Sequence, residues 1–227
     1  LESDMFMGEA YDARLELTNW NTANYDDKSW LKVEQAEAPK AALVATNGPT
    51  VKRIEEIKPV SDPVDKSDFI RRKAIFDMGQ NMVGWVRLKG NAPAGTSVVL
   101  RFAEVLNPDG SLYTTNLRDA RATDVYTFQG EREEVWEPTF TFHGFRYVEL
   151  VGYPGEVSRD TITGVVLHSE MEQTGTFECS DATINQLQSN ILWGQKGNFV
   201  DVPTDCPQRD ERLGWTGDIQ VFVRTAA

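Results

Sequence analysis

The 227-residue chain is poor in cysteine, histidine and positive charge. Its two cysteines, Cys179 and Cys206, are too few for a disulfide framework and lack metal-finger spacing, so they read as free thiols. Only His143 and His168 stand beside them, and no zinc site is expected. Lysine and arginine number 23 against 35 aspartates and glutamates, and no basic run interrupts this balance. An acidic surface of that kind repels phosphate backbones, which argues against a nucleic-acid partner. No stretch approaches the roughly 18 apolar residues of a membrane span, so no membrane partner is expected either. The opening Leu1–Asp12 has neither the basic start nor the apolar centre of a secretory leader, and it does not look like a natural start. The compartment stays open.

What is present is ordinary globular material. Apolar residues make up 40% of the chain, which excludes a mostly disordered one. Six tryptophans, eleven phenylalanines and six tyrosines in an acidic chain suit a neutral, polar ligand such as a sugar. Residues 1–66 read as polar and irregular, the tail of an N-terminal β module plus a linker. Asn19–Asp27 is turn chemistry, and Lys58–Asp65 carries two prolines. Residues 67–178 read as a β domain. Short runs at Lys73–Met78, Val83–Lys89, Val98–Leu106, Asp124–Phe128, Phe140–Val151 and Thr161–His168 alternate with turn signals, the pattern of an antiparallel β-sandwich. Asn107-Pro108-Asp109-Gly110 fits a hairpin turn, while Gln129–Glu137 reads as a solvated turn. Trp85 and Trp136 are expected in packing, and both histidines in structural positions.

At Ser180, taken as an N-cap, the period changes. Ile184, Leu187, Ile191 and Leu192 form one apolar face of a helix running from about 181 to 199. Pro203 and Pro207 mark a loop over Val200–Gly214, and Thr216–Ala227 reads as a second helix. Between the helices, Asp201–Asp218 gathers five carboxylates, two arginines and Trp215. A solvated, charged connection accounts for such a loop. So does a glycosidase site, in which arginines hold one carboxylate ionised while a carboxyl facing the Trp215 wall keeps its proton. Cys206 lies beside Pro207 with no histidine near it in sequence, and reads as packing rather than nucleophile.

The stretch Asp205-Cys206-Pro207-Gln208-Arg209-Asp210-Glu211-Arg212-Leu213-Gly214-Trp215-Thr216-Gly217-Asp218 resembles the signature of bacterial α-L-rhamnosidases, glycoside hydrolase family 78. Phe76–Trp85, Ala103–Leu106, Asn116–Ala120 and Phe140–Tyr147 resemble that family's β-sandwich, and Gly8–Arg14 the close of its N-terminal module. The resemblance therefore covers nearly the whole chain. It implies that residues 179–227 open an (α/α)6-barrel catalytic domain, truncated here, of an inverting hydrolase acting on L-rhamnose-containing glycosides. It makes Glu211 the general acid. Asp205, Arg209, Asp210 and Trp215 would hold the rhamnose ring, with Asp218 a further acidic position of the site. No cofactor and no metal is implied. The general base of such enzymes is a second glutamate further downstream than Ala227, so these 227 residues alone are not expected to hydrolyse rhamnosides. The open apolar side of the second helix, with Ile219 and Phe222, is expected to be mobile or to pair with another copy of the chain. The competing reading is a non-catalytic carbohydrate-binding or structural β-sandwich; the encoding DNA beyond residue 227 discriminates the two.

Overall fold

A computed structural model describes residues 1–130 and 132–226. The chain is mainly β, as expected, and among the described residues ten strands join one sheet that curls on itself. In chain order the strands are β1 (Glu2–Asp4), β2 (Gly8–Asp12), β3 (Val51–Ile57), β4 (Val64–Asp65), β5 (Lys73–Gly90) and β6 (Ser97–Ala103). There follow the short β7 (Val105–Leu106) and β8 (Leu112–Tyr113), then β9 (Thr123–Thr127), β10 (Glu134–Trp136), β11 (His143–Val151) and β12 (Ile162–Ser169). The main path runs β1-β2-β9-β6-β11-β5-β12-β3, with β4 and β10 paired to β5 off that path.

The runs Lys73–Met78 and Val83–Lys89, read separately from sequence, are one 18-residue strand, β5. It bends rather than ends at its glycines. Gly84 has φ +155°, and a Cβ there would stand 1.9 Å from the Val165 carbonyl oxygen. The first half of β5 pairs with β11 (Val151↔Lys73 to His143↔Gly84) and the second half with β12 (Val166↔Gly84 to Ile162↔Leu88). One core cluster lies between these arms, with Phe76, Val86 and Leu88 of β5 meeting Leu100 and Phe102 of β6, Phe145 and Val148 of β11, and Ile162 of β12.

Several expectations need correction. The N-terminal stretch is not wholly irregular, because β1 to β4 all hydrogen-bond into the sheet or its edge. The sheet is not wholly antiparallel, since β2 runs parallel to β9. Gln129–Glu137 holds β10, whose Trp136 is buried, although residue 131 lies outside the described residues. The strand expected from Phe140 starts at His143. Ahead of it the buried Glu9 carboxylate accepts from the backbone N–H groups of Thr139 and Phe140, which takes those donors out of any ladder. The hairpin at Asn107 holds: Gly110 N–H donates to the Asn107 carbonyl at 2.8 Å and Gly110 takes φ +79° between β7 and β8.

After β12 comes α1 (Ala182–Gly197), then the hairpin of β13 (Phe199–Val200) and β14 (Val202–Pro203), then α2 (Thr216–Ala226). The N-cap of α1 is Asp181, one residue past Ser180, and its carboxylate accepts from the N–H groups of Thr183 and Ile184. Trp193 of α1 packs on the β core, and a Cβ on Gly197 would come within 3.1 Å of Val83 in β5. No helix is long and apolar enough to cross a membrane.

Candidate functional site

Two short links close the neck of the acidic loop. Thr204 bridges Gly214, and the Trp215 N–H donates to the Pro203 carbonyl at 3.3 Å. Asp201 turns the preceding hairpin in the left-handed region (φ +69°), and Thr204 N–H donates to the Asn198 carbonyl at 2.7 Å. The side chains from Asp205 to Leu213 therefore leave from a fixed base rather than a free linker.

Arg212 bolts this loop to the β domain. It is 5% exposed, donates through Nη1 to the carbonyls of Met5 (2.5 Å) and Phe142 (2.7 Å), and lies against the Phe142 and Phe6 rings. Burial pushes its pKa down to about 10, with Asp4 opposing the shift. Arg212 itself takes φ +56°, a conformation that side chains rarely adopt. One residue beyond Phe142 and His143, Gly144 lies so close to Gln208 that a Cβ would stand 2.9 Å from the Gln208 Cβ.

The four β-domain segments that resemble the rhamnosidase pattern converge here. Glu104 accepts from Asn81 Nδ2 through one oxygen and from Asn116 Nδ2 through the other, both at 3.0 Å. Asn81 and Glu104 line a cavity of about 200 Å³ together with Gly144, Trp193, Asp205 and Gln208. Two residues along from Asn116, Arg118 Nη1 donates to Glu211 Oε2 at 3.1 Å.

Of the site residues expected from sequence, three line one cavity of about 300 Å³ between the helices: Asp205, Trp215 and Asp218, with Ile191, Phe199 and Phe222. Glu211 and Arg209 lie elsewhere in the loop. Arg209 donates to Glu211 Oε2 through Nε (2.8 Å) and approaches it through Nη2 (2.7 Å). Asp210 joins neither group; its Oδ1 is buried without a partner, as is that of Asp205. The carboxyl that shares a cavity with Trp215 is thus not Glu211 but Asp205 or Asp218, and the carboxylate held by arginines is Glu211.

Asp205 bridges the two parts. It lines both cavities, and its carboxylate, the Cys206 thiol and the Glu211 carboxylate lie within 4.8 Å of one another. That is the donor set among the described residues that could hold a cation, yet two guanidinium groups already occupy Glu211 Oε2. The Cys206 thiol is pushed up by burial, with Arg209 opposing and Asp205 and Glu211 reinforcing the shift, so it is held protonated rather than as a nucleophilic thiolate. Both cysteines are free. His143 is fully buried against Asp124 (3.0 Å), and buried His168 bonds the Ser169 carbonyl, so neither histidine belongs to the site. Sequence reasoning gave no role to Arg118, although it stands inside a segment that was singled out, and it offered Arg212 beside Arg209 as a partner for one of the loop carboxylates. The structure turns Arg212 to the Met5 and Phe142 carbonyls instead.

The fold and the loop define a class of protein in which a β domain leads directly into a helical hairpin and holds the charged loop between its helices. Family profiles match three stretches of the chain. Residues 1–55 match the α-L-rhamnosidase N-terminal domain, 69–168 the bacterial α-L-rhamnosidase concanavalin-like domain, and 172–227 the bacterial α-L-rhamnosidase six-hairpin glycosidase domain. The chain belongs to the bacterial α-L-rhamnosidase family. It is 50% identical to an α-L-rhamnosidase of Streptomyces avermitilis over its full length, and 45% identical to one of Formosa agariphila over 99% of it. It spans only 22% and 24% of those relatives. The crystal structure of the Streptomyces avermitilis α-L-rhamnosidase complexed with L-rhamnose superposes with a TM-score of 0.93 over 99% of this chain and 22% of that one. Native rhamnosidase from Aspergillus terreus gives 0.92 at 44% identity, over 100% of this chain and 26% of that one.

Proposed function

We propose that this chain is the β-domain and acid-loop portion of an inverting α-L-rhamnosidase, with Glu211 as the proton donor to the glycosidic oxygen. The division that goes with this is a module tail and linker over 1–66, a β-sandwich over 67–178 and the opening of an (α/α)6 barrel over 179–227. The division between arginine and tryptophan expected from sequence does not by itself mark Glu211 as the proton carrier. What supports the role is its match to the rhamnosidase signature together with the geometry of its carboxyl, since among the described residues both arginines address Oε2 and leave Oε1 clear of them. A protonated carboxyl can keep Oε2 as the carbonyl oxygen that accepts from the guanidinium groups and present its O–H from Oε1. Trp215, 45% exposed at the cavity between the helices, offers a face for the C–H side of a sugar, and Asp205 and Asp218 offer acceptors for its hydroxyls. Arg209 and Asp210 complete the proposed sugar-holding set.

The base comes from elsewhere in this reading. An inverting pair needs roughly 6.5–9.5 Å between carboxyls to admit a water. Asp205 is too near Glu211, within 4.8 Å. These 227 residues alone are accordingly expected to show no turnover of an aryl α-L-rhamnoside.

The test uses the complete gene product and Glu211→Gln. Turnover of a rhamnoside with a poor leaving group should fall by about 10²–10⁴-fold, with KM nearly unchanged, because a general acid acts in the transition state. A nitrophenyl rhamnoside, whose leaving group needs little protonation, should lose far less. Equal losses on both substrates would show that Glu211 is not the acid.

A further inference from the structure

We infer that Arg118, supplied by the β domain, is a positioning residue for the Glu211 carboxyl; this rests on the reading of Glu211 as proton donor. Arg118 follows a single 3-10 turn, Thr115–Leu117, whose Leu117 is 1% exposed in the β core and whose Asn116 is held by Glu104. The residue takes φ +57°, so the chain reverses sharply there and sends the side chain toward the acid loop. Its Nη1 reaches Glu211 Oε2 at 3.1 Å, across 93 positions of sequence.

Arg209 does not duplicate this contact. Arg209 stands two residues before Glu211 on the same loop, so their bond moves with the loop, whereas Arg118 ties the carboxyl to the rigid β domain. Among the described residues the Asp205 carboxylate and the Cys206 thiol also lie within 4.8 Å of the Glu211 carboxylate. Arg212, its chain neighbour, is turned away to the Met5 and Phe142 carbonyls. With two guanidinium groups on Oε2, the carboxyl plane is fixed and the transferable proton belongs on Oε1. Arg118 contributes to this through Nη1 alone, beside the Nε and Nη2 of Arg209.

The experiment measures kcat and KM separately in the complete enzyme carrying Arg118→Met or Arg118→Lys, on a poor-leaving-group rhamnoside and on a nitrophenyl rhamnoside. The kcat of Arg118→Met on the poor substrate should fall about tenfold, with KM within about twofold and a smaller loss on the nitrophenyl substrate. Arg118→Lys, which keeps the charge and a donor on a differently shaped head, should recover part of that loss. That variant carries the test if the methionine one does not fold, since it should still lose more on the poor substrate than on the nitrophenyl one. Unchanged kcat on the poor substrate overturns the proposal, as does a raised KM with equal losses on both substrates, which would make Arg118 a substrate contact. Glu211→Gln run in parallel separates the two readings. If it fails to discriminate between leaving groups, the donor assignment falls and the Arg118 role with it. If it discriminates and both Arg118 variants match the parent, only the Arg118 role falls.

Discussion

The β body and the loop–helix end use their side chains in opposite ways. In the body, Phe76, Phe102, Phe128 and Phe145 are fully buried, the buried Glu9 carboxylate accepts from the Thr139 and Phe140 N–H groups, and Asp124 Oδ1 pairs with His143 Nε2. In α1 and α2 no residue is buried: Leu187 is 56% exposed, Val221 80% and Val223 49%. Buried polar atoms without partners occur in both regions: Asn116 Oδ1, Asp124 Oδ2, His143 Nδ1 and His168 Nε2 in the body, and Asn198 Oδ1, Thr204 Oγ1, Asp205 Oδ1, Asp210 Oδ1 and Arg212 Nη2 in and around the acid loop. The body spreads them along the chain, whereas the loop gathers them within fifteen residues, 198–212, two of them carboxylate oxygens. That local concentration of unanswered polar atoms, rather than any lack of them elsewhere, sets the loop apart.

The comparison breaks most severely at Gly84. Any side chain there meets the Val165 carbonyl, and the φ of +155° is itself unfavourable for other residues. Gly84→Ala should cost about 3–5 kcal/mol, the range of substitutions that force a strained backbone against a packed neighbour. Urea unfolding followed by tryptophan fluorescence checks this, and a loss under about 1 kcal/mol would mean that the bend of β5 is not pinned there.

Arg212 joins the two regions, so its removal should uncouple them rather than dissolve the body. Arg212→Met removes the donor to the Phe142 carbonyl (2.7 Å) and the shorter of two donors to the Met5 carbonyl (2.5 Å, with Thr141 Oγ1 left at 3.3 Å), while relieving the burial of a charge. The net should be about 2–3 kcal/mol, with the amides of the loop losing protection before those of β5 and β11. Hydrogen exchange reads this directly. Uniform loss of protection across both regions would show the loop to be part of the body's cooperative unit.

The legibility of the chain followed the same division. The helices and the Asn107–Gly110 turn could be read from sequence because their signals are local: a period of 3.6, an Asp or Ser before it, a Pro and a Gly at fixed offsets. The strand at Glu134–Trp136 could not, since its one buried residue sits among charges and its partner is Leu88, far away in sequence. Gly79 looked like the end of a strand and lies within one, because sequence alone does not separate a glycine that stops a ladder from one that turns it. In the site, the loop's chemistry was legible as composition. The arrangement was not: which carboxylate meets Trp215 and which meets arginine depends on Arg118 arriving from the β domain.

The smallest expected effect sharpens the comparison from the acid side. Asp77 lies where the register of β5 against β11 shifts, and its carboxylate accepts two bonds from Arg146, each 2.8 Å. That arginine holds the Asp77 pKa below its ordinary value of 3.8, with burial opposing and the Gly79 N–H assisting. The folded value is the depressed one, so the pair's stabilisation is complete above pH 4 or so and drains away as the pH falls through the lower, folded value. Solvent reaches both side chains, which limits the pair to about 1 kcal/mol despite its two-pronged geometry. Asp77→Asn should therefore cost about that much at pH 7 and progressively less as the pH falls below 3.8. The urea midpoints of parent and variant should converge on acidification. A constant gap between them would place the value of Asp77 in its Gly79 turn rather than in its charge. The acid sensitivity of this stretch of β5 would then come from other carboxylates of the body.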